Sequence, residues 1–214
     1  CIKNGISEAV ANKIYDDMID FAKYAFNKAH AACYAVVGYQ TAYLRNYYPA
    51  EFFAALMTSV IGMSTKISEY IQVCRNMNIE LLPPDINEGG GTFKAVNGKI
   101  RYGMYAIKSV GRPVIDAIVR NREEKGAYQD LEDFIRRVGG GEVNKRAIEN
   151  LILGGALDSL PGNRKQKSII YSDIMDSIAN SKKNSMAGQM SLFDMAPEDN
   201  KEEFRFKLPN VEEF

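Results

Sequence analysis

Apolar positions in the first third of the chain recur at three- and four-residue steps, the period of helices that bury one face. Val10, Ile14, Met18 and Phe21 mark a helix over residues 7–23, with Ser7 placed to cap it. Between Lys28 and Tyr47 there is no proline and one glycine, Gly38, so the spacing predicts a second helix of about five turns. One stripe of that helix, Ala32, Val36, Tyr39, Tyr43 and Tyr47, is expected to be core; the other, His30, Tyr34, Gly38, Thr41 and Arg45, is polar. Pro49 suits the first turn of a third helix, which buries Phe52, Phe53, Leu56 and Met57. A fourth, over 66–78, carries Ile67, Tyr70, Ile71 and Cys74 and gives way to the strand-like run Ile79-Glu80-Leu81-Leu82.

Pro83-Pro84-Asp85 and then Gly89-Gly90-Gly91 break this period and mark a domain boundary. Beyond it, residues 92–96 and 99–103 flank Asn97-Gly98, a strong hairpin signal. Two strands are marginal alone, so the hairpin should lie against helices. Tyr128, Leu131, Phe134 and Ile135 read as core, as do Ile148, Leu151 and Ile152 on one helix and Ile169, Ile170, Ile174 and Ile178 on the next. From Asn180 the composition turns polar and small, that of a flexible tether, before an acidic run in which Phe204, Phe206 and Leu208 alternate with charges. The expectation is a mainly α chain with one small β-hairpin, divided into 1–82, 83–179, 180–196 and 197–214.

Composition narrows the classes only a little. Lys plus Arg and Asp plus Glu both number 27, so charge must be read locally. From residue 94 to 125 basic residues outnumber acidic ones eight to three. No apolar run is long enough for a bilayer, no signal peptide is visible, and the three cysteines, Cys1, Cys33 and Cys74, have no metal-ligand or C-x-x-C spacing. A cytosolic protein without a membrane partner and without a metal site in this chain is expected. Beginning at Cys1 and stopping in an acidic run, the sequence reads as a piece of a longer one.

The histidine-bearing stretch, 24–53, poses the sharpest chemical question. Asn27 suits an N-cap, which leaves the N–H groups of Lys28, Ala29 and His30 at a positive helix end. An ammonium and an imidazole beside free N–H groups suit a triphosphate. A capped, merely polar helix end is the other reading of the same residues.

The run YAFNKAHAACYAVVGYQTAYLRNYYPAEFFAALMTS closely resembles the fingers of the bacterial DNA polymerase III alpha subunits, the family C replicative polymerases. LLPPDINEGGGTFKAVNGKIRYGMYAIKSVG, VNKRAIENLILGGALDSLPGNRKQ and GQMSLFD resemble, in the same order, the regions C-terminal to the fingers in that family. The resemblance implies a multi-helical fingers segment followed by a tandem helix-hairpin-helix domain with a small β-hairpin. It implies that Asn27, Lys28, His30, Tyr34 and Arg45 face the incoming deoxynucleoside triphosphate and the template.

Residues 106–118 resemble a helix-hairpin-helix motif. Gly111 is expected at positive φ, Pro113 at a helix start, and the turn's N–H groups form a cradle for a phosphate that reads no base. Lys108, Ser109, Gly111 and Arg112 would line it, with Arg120 and Arg122 adding charge. A looser copy over 143–167 offers Lys145, Arg146, Gly154, Gly155, Arg164, Lys165 and Lys167. The plainer reading of both is an ordinary helical hairpin with a solvated basic face. Gln189, Met190, Leu192 and Phe193 resemble the family's internal sliding-clamp peptide, although such a peptide could equally tuck onto its own chain.

In the resembled family the catalytic aspartates, which hold Mg²⁺, lie before this stretch. Asp16, Asp17, Asp20 and Asp85 form no such constellation, so no catalytic residue and no cofactor are expected here, and the chain alone should not polymerise DNA. Duplex DNA, the nucleotide, the clamp and other replicase subunits are the implied partners. A stand-alone helix-hairpin-helix module of a repair or recombination factor would account for the hairpins but not for residues 24–53. A helical protein-interaction domain would account for neither.

Overall fold

The computed structural model describes residues 1–23, 28–139, 143–186 and 206–214. It is mainly α with a small sheet, as the sequence predicts. Two compact units, Cys1–Pro49 and Ala50–Phe214, divide the chain. In the first, α1 (Glu8–Lys23) and α2 (Lys28–Tyr47) form where the period places them. Their apolar stripes, expected to be core, are not. Val36, Tyr39, Tyr43 and Tyr47 are between 44 and 72% exposed, and α2 buries no residue. Val10, Ile14, Met18 and Phe21 are exposed too. Periodicity is enough to select a helix, but burial also needs a facing surface, and the described residues supply none for these stripes. The α2 tyrosines instead meet one another: the Tyr43 ring lies 6.5 Å from that of Tyr39 and 4.5 Å from that of Tyr47.

The second unit begins one residue into α3 (Pro49–Ser59), whose proline sits at its first turn, and continues with α4 (Ser64–Asn76). Asn78 stops α4 in the left-handed region at φ 57°, while the N–H groups of Asn78 and Ile79 donate to the carbonyls of Arg75 and Cys74. The hairpin forms as expected: β2 (Lys94–Val96) pairs antiparallel with β3 (Lys99–Arg101), across Asn97 and Gly98 at φ 52° and 76°. β1 (Leu81–Leu82) adds a parallel strand on the free edge of β3, in the order β1-β3-β2. Phe53, Met57, Ile67, Cys74, Ile79, Phe93 and Ile100 pack into one apolar cluster, so α3, α4 and the hairpin share a core.

The larger cluster joins α5 (Arg112–Lys125), α6 (Leu131–Val138), α7 (Lys145–Leu153) and α8 (Arg164–Met186). Tyr128, Leu131, Phe134 and Ile135 are buried in it, as are Ile148, Leu151, Ile152 and Ile174. Side-chain caps fix the helix starts. Asp130 accepts from the Asp133 N–H at 2.8 Å and Asn144 from that of Ala147 at 2.9 Å, while Asn163 and Gln166 exchange bonds of 2.8 Å each in a capping box. α8 continues to Met186, past the Asn180 start of the polar stretch, which holds no Gly or Pro before Gly188.

The acidic run returns to this unit. Phe206 packs against the α5–α8 cluster, the Gln166 amide donates to the Pro209 carbonyl at 2.8 Å and the Asn163 amide donates to the Val211 carbonyl at 3.0 Å. The 206–214 segment thus lies across the start of α8.

Candidate nucleic-acid interface

The chain enters α5 through a 3-10 turn, Met104–Ala106, and residues 107–111. Here the structure corrects the sequence expectation. Ser109, not Gly111, takes the left-handed conformation, at φ 64°, and Gly111 is extended at φ −71° and ψ 151°. Gly111 is the residue just before α5, where β-region dihedrals start a helix. With Val110 and Val114 anchored in the core, the reversal falls on the exposed Ser109. A Cβ on Gly111 would meet only the Pro113 Cδ, at 3.6 Å, so the fold itself does not require glycine there.

The turn presents an unusual set of donors. The N–H groups of Lys108, Ser109, Gly111 and Arg112 donate to no acceptor among the described residues, while that of buried Val110 closes the hydrogen-bonded turn over Lys108 and Ser109. Unpaired N–H groups at a helix start suit an anion. Lys108 and Arg112 at the turn, and Arg120 more than two helical turns along α5, are exposed and make no ion pair among the described residues. Arg122 is otherwise employed: its Nη1 donates to the carbonyls of Ile86 at 2.9 Å and Gly89 at 2.6 Å, tying α5 to the 85–89 turn. It is a structural residue.

The looser copy differs. Gly155, at φ 80°, closes α7: its N–H donates to the Ile152 carbonyl and that of Ala156 to Leu151, the bonding of a Schellman stop. The Gly154 N–H donates to Asn150, so all three are satisfied within the turn. The basic side chains are also largely engaged. Lys145 Nζ donates to Ser172 at 2.9 Å and pairs with Asp176 at 2.7 Å. Arg164 Nε donates to Asp158 at 2.9 Å and its backbone N–H to Glu213 at 3.2 Å, and the Asp158 carboxylate raises the guanidinium's pKa further. Lys165 Nζ sits 5.9 Å from the Phe214 ring centre, and Arg146 is exposed. Lys167, grouped with these from the sequence, is fully buried. Its Nζ donates to the Leu157 and Leu160 carbonyls at 2.8 Å each, and burial lowers its pKa, so it cannot meet a phosphate.

On α2, the His30 and Tyr34 ring centres lie 4.4 Å apart with the planes tilted by 53°, one helical turn from each other. Lys28 and His30, two residues apart, do not share a face. Arg45 is on the His30–Tyr34 face but about 22 Å along the axis from His30 at 1.5 Å per residue, so one nucleotide could reach only one end of that face. Asn27 and the peptide residues Gln189, Met190, Leu192 and Phe193 lie outside the described residues. No group of three or more His, Cys, Asp or Glu side chains suited to a metal ion occurs among the described residues.

Known proteins are similar to this chain along most of its length. Residues 78–167 match the model of the helix-hairpin-helix motif. DNA polymerase III subunit alpha of Mycobacterium tuberculosis (strain CDC 1551 / Oshkosh) is 42% identical over 190 residues, 89% of this chain and 16% of that protein. That of Vibrio cholerae is 42% identical over 201 residues (92% and 17%), and that of Mycobacterium leprae 37% over 209 (98% and 18%). The chain is homologous to a segment of DNA polymerase III subunit alpha. It spans less than a fifth of the length of these relatives. The similarity to the polymerase subunit covers far more of the chain than the hairpin match alone, which a stand-alone hairpin module would leave unexplained.

The polymerase-like hairpin unit also uses residues that sequence reasoning passed over. Asp85 Oδ1 accepts from the N–H groups of Asn87 and Glu88, and Asn87 pairs both ways with the Tyr128 backbone, at 2.9 and 2.8 Å. The Asp-x-Asn spacing after Pro84 is a local turn signal that was there to be read. No helix among the described residues is long and apolar enough to cross a membrane.

Proposed function

We propose that this chain serves a replicative DNA polymerase in template-directed synthesis, with the 107–112 turn as a clamp on the phosphates of duplex DNA. The observation that carries the reading is the set of unpaired N–H groups of Lys108, Ser109, Gly111 and Arg112, with the exposed Lys108 and Arg112 side chains beside them and Arg120 further along α5. Such a site takes hold of any sequence, since phosphate contacts position a duplex without reading it. Around the second turn, Arg146 and Lys165 supply charge, joined by Lys145 and Arg164 when they exchange Asp176 and Asp158 for phosphate. Lys28, His30 and Tyr34, with Asn27, approach the incoming nucleotide, and Arg45, at the far end of the same helix, the template. Residues 189–193 bind the sliding clamp. Nucleotidyl transfer, with its Mg²⁺-bearing aspartates, belongs to other parts of the longer enzyme, and this chain alone is inactive.

The test is duplex binding by the chain against salt. Affinity should fall steeply, with log Kd linear in log salt. Gly111→Val, which the backbone accommodates at φ −71°, should weaken binding about tenfold by placing methyl groups where the phosphate approaches. A folded Gly111→Val chain that binds as the parent does would remove the turn from the interface.

A further inference from the structure

Arg112 is held by an arrangement that no helix start requires. Its guanidinium carbon lies 5.1 Å from the ring centre of Tyr105. The ring rests on the chain at Gly91: the Tyr105 N–H donates to the Gly91 carbonyl at 2.9 Å, and a Cβ on Gly91 would come within 2.2 Å of the ring. The Tyr105 hydroxyl donates to Asp116 Oδ1, a hydrogen bond that also raises the phenol's pKa.

Asp116 is the fourth residue after Arg112 on α5, the spacing at which a carboxylate ordinarily captures a guanidinium. No Arg112–Asp116 ion pair forms; among the described residues the carboxylate's partner is the phenol. We infer that Tyr105 is a positioning residue for the phosphate site: its ring seats Arg112, and its hydroxyl occupies the Asp116 carboxylate that would otherwise pair with Arg112. Arg112 is thereby left with its donors available beside the N–H groups of the turn. This rests on the phosphate-binding reading of that turn.

The experiment is a set of duplex-binding measurements on the whole chain across a salt series. Arg112→Ala should weaken binding and flatten the slope of log K against log salt by about 0.9, the loss of one phosphate contact. Tyr105→Phe keeps the ring and releases Asp116; it should weaken binding severalfold, flatten the slope in the same direction, and add nothing in the Arg112→Ala background. Asp116→Asn should restore the Tyr105→Phe chain, and by more than it improves the parent. A structural lesion at Tyr105 would not be rescued by neutralising Asp116. If Arg112→Ala weakens binding while Tyr105→Phe does not, or if Asp116→Asn gives no extra rescue, the assignment of Tyr105 is wrong. If Arg112→Ala itself binds as the parent does, the phosphate reading at Arg112 fails first and takes this inference with it.

Discussion

Individual polar side chains in the hairpin unit are fixed by what accepts their protons. Lys167 spends its ammonium on two carbonyls of the 157–160 turn, and Tyr128 donates to the Ile118 carbonyl at 2.8 Å beneath the Arg137 guanidinium, 4.2 Å from its ring centre. Burial pushes the Tyr128 phenol up from 10 to about 12. The unfolded chain therefore loses this proton before the folded one does. Its contribution to stability is whole below pH 10 and should drain away between pH 10 and 12, so denaturant midpoints measured across that window should fall. Tyr128→Phe should remove that part of the decline and cost about 1 kcal/mol at neutral pH for the lost hydrogen bond. On α2 the expected effect is kinetic. In the intact polymerase, Lys28→Ala should lower kcat/KM for nucleotide about tenfold, since charge at a triphosphate acts on binding and transition state together. Unchanged single-turnover kinetics would leave Lys28 a surface residue.

Helices in this chain begin and end on local chemistry, and most of those signals are visible in the sequence. Asn144, Asp130 and the Asn163/Gln166 box start α7, α6 and α8, while Asn78 and Gly155 stop α4 and α7. The 206–214 segment has no such signal. Alternating Phe206 and Leu208 with charges reads as a connection, yet these side chains line a cavity of about 250 Å³ together with Leu131, Pro161, Ile170 and Ile174. Phe206 is only half-buried, so Phe206→Ala should cost about 1 to 2 kcal/mol, less than truncating a full core residue. Hydrogen exchange at the first turn of α8 should quicken with it, because Pro209, Val211 and Glu213 bond there. Equal stability and exchange would mean that the segment contributes nothing to α8.

For the molecule as a whole, DNA and clamp contacts are proposed on separate stretches, and they should therefore be separable. Replacing Leu192 and Phe193 together by Ala should abolish clamp binding while the salt-dependent duplex affinity stays as it was, both read by titration against clamp and duplex in turn. Buried apolar side chains of about 1.5 to 3 kcal/mol each suffice for micromolar affinity once ordering is subtracted. Retained clamp affinity in the double variant would assign the contact elsewhere. Sequence alone was enough for much that depends on neighbours along the chain: the helical period of α1 to α4 and α7, the starts of α5 and α8, the Asn97-Gly98 hairpin, the proline at the start of α3 and the basic run near α5. Burial and pairing are properties of two surfaces, and there the fold had the last word. It left the α2 tyrosines exposed, added β1 to the hairpin, and consumed Arg122, Lys145, Arg164 and Lys167 in internal bonds. It also put the strained turn on Ser109, because Val110 and Val114 had to reach a core assembled from helices far along the chain.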